Sequence, residues 1–236
     1  MCIRDRCTIN VSTGGGAQSL GFPYDKGSQG VYNETRVAPG TLKSRFVGAP
    51  VRPLTKEEIK TMIDCFGYSC LNCKRAGFDA VTIHAIGGYL ISEFLTPWFN
   101  NRTDEYGGSF ENRFRFPVEI VQCIKRYAGE DFPVSLRYSV KSYTKTWGKG
   151  AVPGEEFVEW GRDMPESEKA IKYLGDAGYD FFNCDNGTYD AWYWAHPPQY
   201  MPDNCNLEYV EHIKKFTDKP VACAGRMDPV KAAEEI

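Results

Sequence analysis

The chain has 236 residues, 42% of them hydrophobic and 25% charged, with a formal net charge of −3. This length and composition are typical of a globular protein with one large domain, and no apolar stretch reaches the roughly 18 residues that a membrane-spanning helix needs. The slightly acidic balance, without a basic run, argues against nucleic acid and anionic membranes as partners. We therefore expect a cytoplasmic protein that acts on a small molecule, and we leave homo-oligomerisation open.

Short β-rich runs alternate with helical patterns along the chain. The predicted strands are 8–12, 79–84, 134–138, 179–184 and 221–224. The predicted helices between them are 55–76, 109–127, 166–177 and 206–216, with Pro117 as a kink in the second, and a further helix begins at Asp228. Strands and helices that alternate in this way form right-handed βαβ units around a parallel sheet.

Two α/β architectures fit such a sheet: a doubly wound sheet and a (β/α)8 TIM barrel. The doubly wound sheet needs a glycine-rich fingerprint between the first strand and the first helix, which the GGGAQSLG segment from Gly14 does not match. The barrel is favoured by polar residues at the carboxyl ends of the predicted strands, where barrel active sites are built. These residues are His84, Arg137, Asp185 and Arg226. We therefore predict an incomplete TIM barrel, with about strands three to seven in one partial domain over 1–236, in which residues 1–6 fit no element and are candidates for non-native sequence.

Three of the nine cysteines have the spacing of an iron–sulfur site. Cys65, Cys70 and Cys73 match the C-x4-C-x2-C run of plant-type ferredoxins. They fall, however, inside the predicted first helix, which Thr55 and Glu58 open with a capping box. Because a continuous helix cannot wrap a cluster, we predict no metal there and reduced thiols in the chain.

The strand-end residues allow both a functional and a structural interpretation. His84, at the end of a buried strand, and Tyr89, in the loop after it, are either core residues or parts of an active site. Arg137 is harder to explain by packing, because a guanidinium at the end of an apolar strand needs an anionic or carbonyl partner. Gly225 joins a strand to a helix that Asp228 caps. This junction is either a plain βα turn or a helix start that presents N–H groups to a phosphate.

Two stretches resemble one known family. The first, GFDAVTIHAIGGYLISEFLTPWFNNRTDEYGGSFENRFRF (77–116), contains a long and specific R-T-D-E-Y-G-G-S-x-E-N-R run. It resembles the fourth strand and following loop of the Old Yellow Enzyme family of FMN-dependent ene-reductases, whose order the chain follows from about Thr8 to Ile236. The second, DNGTYDAWYWAHPPQYMP (185–202), is similar to the 2-enoate reductase and 2,4-dienoyl-CoA reductase branch, with bile-acid 3-oxo-4-ene oxidoreductases as relatives.

The resemblance implies an enzyme that reduces the C=C bond of α,β-unsaturated carbonyl compounds, such as 2-enoates or dienoyl-CoA, or alternatively of a 3-oxo-4-ene steroid. FMN would deliver a hydride from N5 after its reduction by NAD(P)H. His84 matches the residue that hydrogen-bonds the substrate carbonyl, and Tyr89 matches the proton donor. These residue types suit the chemistry, since the developing oxyanion needs a preorganised donor and the second carbon needs a proton. Members of this branch also carry 4Fe-4S and FAD in a C-terminal part, and the sequence leaves open whether this protein does.

Four residues match the family's flavin site. Asn10 falls where the family has a glutamine that hydrogen-bonds the flavin pyrimidine. Arg137 matches the arginine beside N1 and the C2 carbonyl, where a cation stabilises the anionic reduced flavin. Backbone N–H groups around Gly225 and Arg226 match part of the phosphate site.

The chain departs from the family pattern at Gly87, where a histidine or asparagine usually supplies a second donor to the substrate carbonyl. Tyr189 falls where dienoyl-CoA reductases have a second catalytic histidine, so we predict that its hydroxyl compensates as a donor or as a second acid. Trp192 and His196 follow in the same loop and are predicted to contact the substrate. The structural alternative is that Tyr189 only lines an apolar pocket with its tryptophan neighbours.

Two hypotheses from other classes stay open. The aromatic tract 188–200 would bind sugars in a barrel glycoside hydrolase, with Glu93 and Asp185 as its carboxylate pair. That hypothesis leaves Arg137 and the polar loop 98–113 unexplained. The other is a non-catalytic fragment, because a barrel without its remaining strands cannot close and leaves its sheet edges exposed.

Overall fold

The structure is a computed structural model that describes residues 8–11, 37–42 and 51–235. Its strands are β1 (Thr8–Val11), β2 (Val37–Ala38), β3 (Arg52–Pro53), β4 (Ala80–Ala85), β5 (Val134–Ser139), β6 (Thr144–Thr146), β7 (Lys149–Gly150), β8 (Phe181–Asp185) and β9 (Val221–Cys223). Its helices are α1 (Lys56–Arg75), α2 (Leu90–Leu95), α3 (Phe110–Ala128), α4 (Met164–Ala177), α5 (Trp192–Ala195), α6 (Leu207–Lys214) and α7 (Pro229–Glu235), with a 3-10 helix (Tyr189–Ala191) before α5. The predictions at 1–6 and Gly14 lie outside the described residues.

Five of these strands form one parallel sheet in the order β1-β4-β5-β8-β9. Each lies beside the strand that precedes it in this series, so the order does not reverse as it does in a doubly wound sheet. Among the described strands, β1 and β9 each have one neighbour in the sheet, which is therefore an open arc. This confirms the prediction of an incomplete barrel, and all five predicted strands lie within two residues of their expected bounds.

The sheet has one face covered by helices and an opposite face that is not. In β4, Val81, Ile83 and Ala85 are fully buried in one apolar core with residues of α1, α3 and α4. Their neighbours Thr82 and His84 are partly exposed, because successive side chains of a strand point to opposite faces. In a (β/α)8 barrel the helices lie outside, so His84 lies on the face that becomes the barrel interior.

Helix α1 begins with the predicted capping box. The N–H of Glu58 donates to Thr55 Oγ1 at 3.2 Å, and the N–H of Thr55 donates to the Glu58 carboxylate at 2.9 Å. Helix α4, in contrast, begins two residues before its predicted start. The Asp163 carboxylate accepts the N–H of Glu166 at 2.9 Å, and the sequence analysis missed this cap.

Helix α1 runs unbroken through Cys65, Cys70 and Cys73, so the three cysteines share one helix as predicted. Within the described residues, no group of histidine, cysteine and acidic side chains is placed to hold a metal ion. No helix in this part of the chain combines the length and apolar composition that crossing a membrane requires. Helix α3 continues through Pro117, whose carbonyl accepts a hydrogen bond from the Tyr179 hydroxyl at 2.9 Å.

Several short elements escaped the sequence analysis. Helix α2 follows β4, the antiparallel hairpin of β6 and β7 follows β5, and the 3-10 helix with α5 follows β8. Such elements are too short to be stable by themselves, so contacts with neighbouring loops hold them. All of them follow carboxyl ends of strands and therefore surround the expected site.

Candidate active site

Three polar residues lie side by side at the carboxyl end of the sheet. The register pairs His84 of β4 with Arg137 of β5, and Arg137 with Asn183 of β8. All three are partly exposed, whereas the residues that flank them in each strand are buried. They therefore point to the face opposite the helices. The structure thus brings His84 and Arg137, both predicted site residues, to the same face.

The loop after β4 turns back towards this face. Gly87 and Gly88 have φ angles of +70° and +87°, in the left-handed region that favours glycine. The turn places the Tyr89 ring 5.1 Å from the His84 ring, in an edge-on arrangement. The glycine that removes the family's second donor therefore also makes the turn that brings Tyr89 beside His84.

The loop after β8 joins this turn through backbone contacts. Thr188 forms a parallel bridge with Gly87, and the N–H of Tyr189 donates to the Gly87 carbonyl at 3.1 Å. As a result, the hydroxyl oxygens of Tyr89 and Tyr189 lie 2.6 Å apart, although the two residues are 100 positions apart in the chain. Tyr189 therefore meets the predicted proton donor itself.

Two further rings extend this contact towards the surface. Trp192 stacks on Tyr189 with ring centroids 4.8 Å apart, and His196 packs on Trp192 at 4.1 Å. Trp192 is 41% exposed, so part of its ring is accessible. We call Tyr89, Tyr189, Trp192 and His196 the aromatic row, which runs from the hydroxyl pair to the exposed rim.

The loop that carries Tyr189 is held from behind by the β6–β7 hairpin. Trp194 Nε1 donates to the carbonyl of Ala151, just after β7, at 2.8 Å. A Cβ at Gly150 would lie 2.7 Å from Ala191, so the hairpin backbone approaches this loop at a distance that only glycine allows. The two loops therefore behave as one packed unit.

Burial shifts the pKa values of His84, His196 and Tyr189. Burial, together with the positive charge of Arg137, lowers the pKa of His84 to about 4, so its imidazole is neutral near pH 7 and carries one N–H. The same two causes lower the pKa of His196. Burial first, and then the hydrogen bond with Tyr89, raises the pKa of Tyr189 above its ordinary value.

Arg137 has the anionic partner that the sequence calls for. Its Nη2 lies 3.2 Å from Oδ2 of Asp185, and the Ser139 hydroxyl donates to Oδ1 of the same carboxylate at 2.9 Å. Asp185 is 1% exposed. This burial raises its pKa to about 6, against the opposing effects of Arg137 and Ser139. The sequence analysis considered Asp185 only as a glycosidase residue and missed this pairing.

The face around Arg137 also presents buried polar atoms without a hydrogen-bond partner among the described residues. They are Ser135 Oγ, Arg137 Nε and Asn183 Oδ1. Buried donors and acceptors are costly unless something bound there completes them. The pyrimidine edge of a flavin offers carbonyl oxygens and an N–H group, so these residues fit FMN. Asn10 lies in β1 opposite Thr82, but its side chain lies outside the described part of the chain.

The turn after β9 has the glycine and the helix cap that the sequence predicts. Gly225 has φ +117°, and a Cβ there would lie 2.3 Å from Asn206 Nδ2, so the position requires glycine; Arg226 follows with φ +45°. Helix α7 begins after Asp228 as predicted, but the Asp228 carboxylate accepts two N–H groups of its first turn at 3.0 and 3.2 Å. The helix start is therefore capped by its own chain, and phosphate contacts from the backbone of Gly225 and Arg226 stay a prediction.

The carboxylates of the glycosidase hypothesis are not accessible. Glu93 is 0% exposed within α2, and Asp185 is buried against Arg137. Two carboxylates that flank a glycosidic bond must both reach the substrate. The structure therefore does not support this alternative.

The described sheet is an arc of a (β/α)8 barrel with polar residues at the carboxyl ends of its strands. This arrangement is typical of barrel enzymes. Within that class, residues 15–236 match the NADH:flavin oxidoreductase / NADH oxidase family, and the chain belongs to this family. Members bind FMN and use NAD(P)H. The resemblance to Old Yellow Enzyme that the sequence shows is thereby confirmed.

Comparisons with individual proteins support the same family. The chain is 51% identical over 209 residues to the cinnamate reductase of Clostridium sporogenes, a match that covers 87% of this chain and 31% of that protein. The structure of a 2-naphthoyl-CoA reductase in complex with 2-naphthoyl-CoA is similar with a TM-score of 0.71 and 28% identity, over 85% of this chain and 28% of that one. The Old Yellow Enzyme homologue from Zymomonas mobilis shares the fold, with a TM-score of 0.62 and 24% identity over 87% of this chain and 54% of that one. The chain thus spans about a third of the first two proteins.

Proposed function

We propose that the protein carrying this chain is an FMN-dependent ene-reductase that reduces the C=C bond of a 2-enoate or enoyl-CoA compound. The observation that carries the proposal is the hydroxyl pair of Tyr89 and Tyr189, 2.6 Å apart, beside the ring of His84. The name of the cinnamate reductase, 51% identical to this chain, supports an aryl 2-enoate as substrate. The proposal includes NAD(P)H as reductant and the cytoplasm as location.

The flavin-binding side of the site would be formed by Arg137 and Asn183, with Asn10 and the backbone of Gly225 and Arg226. When bound, FMN supplies the hydride that adds to the β carbon of the alkene. The Arg137 guanidinium would face the pyrimidine ring, where its positive charge offsets the negative charge of the reduced flavin. The unpartnered Arg137 Nε and Asn183 Oδ1 support this placement.

His84 would bind the carbonyl oxygen of the substrate. Because its pKa is lowered to about 4, the imidazole is neutral and donates its single N–H to that oxygen. As the β carbon accepts a hydride, the electron pair of the alkene moves towards the carbonyl, and the hydrogen bond strengthens as charge develops on the oxygen. Gly87 supplies no second side-chain donor.

Tyr89 would then transfer its proton to the α carbon, which completes the saturated product and leaves a phenolate on the tyrosine. Tyr189 holds its own proton firmly, because burial and the contact with Tyr89 raise its pKa. Its hydroxyl would therefore donate to the Tyr89 oxygen and stabilise the phenolate until a proton returns from solvent. Tyr189 is thus the second member of an acid pair, one of the two roles that the sequence suggests.

The outer part of the aromatic row would form a wall for the substrate. The Trp192 ring is 41% exposed and lies between the rings of Tyr189 and His196. A planar conjugated group that stacks on this ring would keep its double bond next to the hydroxyl pair. An aryl enoate is such a group.

The test uses the full-length protein that carries this chain. We expect it to contain FMN, and we expect the reduced flavin to be reoxidised anaerobically by cinnamate or a related enoate but not by the saturated product. A 3-oxo-4-ene steroid in the same assay tests the steroid alternative. A protein that cannot take up FMN, or whose reduced flavin no α,β-unsaturated carbonyl compound reoxidises, contradicts the proposal.

A further inference from the structure

One buried carboxylate at the site has no part in the reaction above. Asp185 is 1% exposed, and its Oδ2 lies 3.2 Å from Nη2 of Arg137. Its Oδ1 accepts the Ser139 hydroxyl, and its backbone carbonyl accepts the N–H of Val140 at 2.8 Å. Both the side chain and the main chain of Asp185 are therefore held in place.

The stability of the fold does not by itself explain why a carboxylate is buried at this position. A buried ion pair often fails to repay the desolvation of its charges. Here the pKa of Asp185 is raised to about 6, so desolvation outweighs the help of Arg137 and Ser139. Arg162, fully buried, adds a second positive charge nearby and donates to the Ser139 carbonyl at 2.9 and 2.7 Å. Because burying the Asp185 carboxylate costs free energy, its presence indicates a role in the site.

The contact with Asp185 engages one nitrogen of the Arg137 guanidinium. Nη2 faces the carboxylate, whereas Nε is buried without a partner among the described residues. A group bound on this face would therefore share the guanidinium with Asp185. Since β5 and β8 are adjacent strands, the sheet register sets the position of both residues.

We infer that Asp185 is a positioning residue for the flavin: it holds the Arg137 guanidinium towards the pyrimidine ring and offsets part of its positive charge. This inference rests on the proposed function, because that function places FMN beside Arg137. Reduction adds negative charge to the flavin, and a neighbouring carboxylate in a water-poor site opposes that charge. Flavin beside the Arg137–Asp185 pair is therefore harder to reduce, and a stronger hydride donor, than flavin beside an unpaired arginine.

The test measures the midpoint potential of bound FMN in the full-length protein and in Asp185→Asn, by equilibrium titration against reference dyes at pH 8. Asparagine keeps the size and an acceptor for Ser139 and removes the charge. We expect the affinity for reduced relative to oxidised FMN to rise at least tenfold, which is about +30 mV for a two-electron couple. The matched control is Asp180→Asn, which removes a carboxylate that pairs with Lys125 at 2.7 Å just before β8 begins. The control should leave the potential unchanged.

The outcomes separate the inference from the proposed function. If Asp185→Asn does not fold, Asp185→Ser replaces it, since serine also removes the charge and leaves room for a water. An unchanged potential in either folded, FMN-bound variant overturns the inference and leaves the proposed function in place. An equal shift in Asp180→Asn overturns it as well, because the effect would then be one of overall charge. A parent protein that cannot bind FMN instead contradicts the proposed function.

The pH dependence gives a second readout. Because the pKa of Asp185 is about 6, its carboxyl is largely protonated at pH 5, and the difference between parent and Asp185→Asn should shrink there. The other charged groups that face it are the guanidinium groups of Arg137 and Arg162. Burial raises the pKa of the neighbouring Cys184 and Cys223 thiols, so these stay neutral in this range. A difference that is equal at pH 5 and pH 8 would contradict a charge effect.

Discussion

The hydroxyl pair of Tyr89 and Tyr189 leads to the sharpest prediction: Tyr189→Phe should slow proton transfer to the substrate and leave flavin reduction unchanged. Phenylalanine keeps the ring that stacks on Trp192 at 4.8 Å. It also keeps the backbone N–H that donates to the Gly87 carbonyl at 3.1 Å. The substitution therefore removes one oxygen, 2.6 Å from the Tyr89 hydroxyl, and little else.

The size of the effect follows from the charge that develops on Tyr89. Between two neutral hydroxyl groups, the hydrogen bond contributes about 1 kcal/mol. Once Tyr89 has given up its proton, the same contact becomes a charge-assisted bond of about 1.5–3 kcal/mol. Only the difference, about 0.5–2 kcal/mol, lowers the barrier, which corresponds to a rate that falls about two- to thirtyfold in the variant.

The assay records the two half-reactions separately by anaerobic stopped flow. Reduction of the flavin by NAD(P)H should be equal in parent and variant, whereas reoxidation by an enoate should be slower in Tyr189→Phe. Tyr193→Phe is the matched control, because it removes a hydroxyl from the same loop outside the aromatic row. Gly87→Asn should restore part of the reoxidation rate in Tyr189→Phe, because the asparagine side chain adds a second hydrogen-bond donor for the substrate carbonyl. Asparagine tolerates the φ of +70° better than most residues, and its Cβ would lie 3.7 Å from the Tyr89 ring.

Two results would refute this reasoning. If reoxidation is as fast in Tyr189→Phe as in the parent, Tyr189 is only a wall of the pocket and Tyr89 gives up its proton without that help. If Tyr193→Phe slows reoxidation as much as Tyr189→Phe does, the effect comes from the packing of the loop and not from the hydroxyl pair.

Three further predictions concern single residues of the site. Tyr89→Phe should slow reoxidation by roughly 10²- to 10⁴-fold without changing flavin reduction, and equal rates would remove Tyr89 from the mechanism. Arg137→Ala removes the cation and leaves Asp185 unpaired, so the Kd for FMN should rise at least about tenfold in fluorescence titrations; an unchanged Kd would argue against flavin contact. The lowered pKa of His84 means that only the unfolded state takes up its proton as the pH falls from 6.5 towards 4, so the parent should lose stability relative to His84→Gln in that window. Urea denaturation at pH 7.5 and pH 5 measures this, and a stability difference that is independent of pH would contradict the buried neutral imidazole.

Much of the fold could be predicted from the sequence because its signals lie between neighbouring residues. The capping box of Thr55 and Glu58 joins two residues one turn apart, and short apolar runs mark the strands directly. The carboxyl end of each predicted strand also placed His84 and Arg137 at one edge of the sheet, since all strands of a parallel sheet point the same way. The family could likewise be identified from the sequence, because its motif is one contiguous run at 77–116.

The tertiary structure alone decided which side chains meet. Tyr89 and Tyr189 form a pair because left-handed glycines turn the first loop and a backbone bridge joins it to the second, 100 residues later. Arg137 finds Asp185 because β5 and β8 are adjacent in a fixed register. Such contacts leave no periodic pattern, since they depend on the relative positions of distant segments and on the energy gained by packing them together. The sequence could therefore name the members of the site but not the hydrogen bonds that join them.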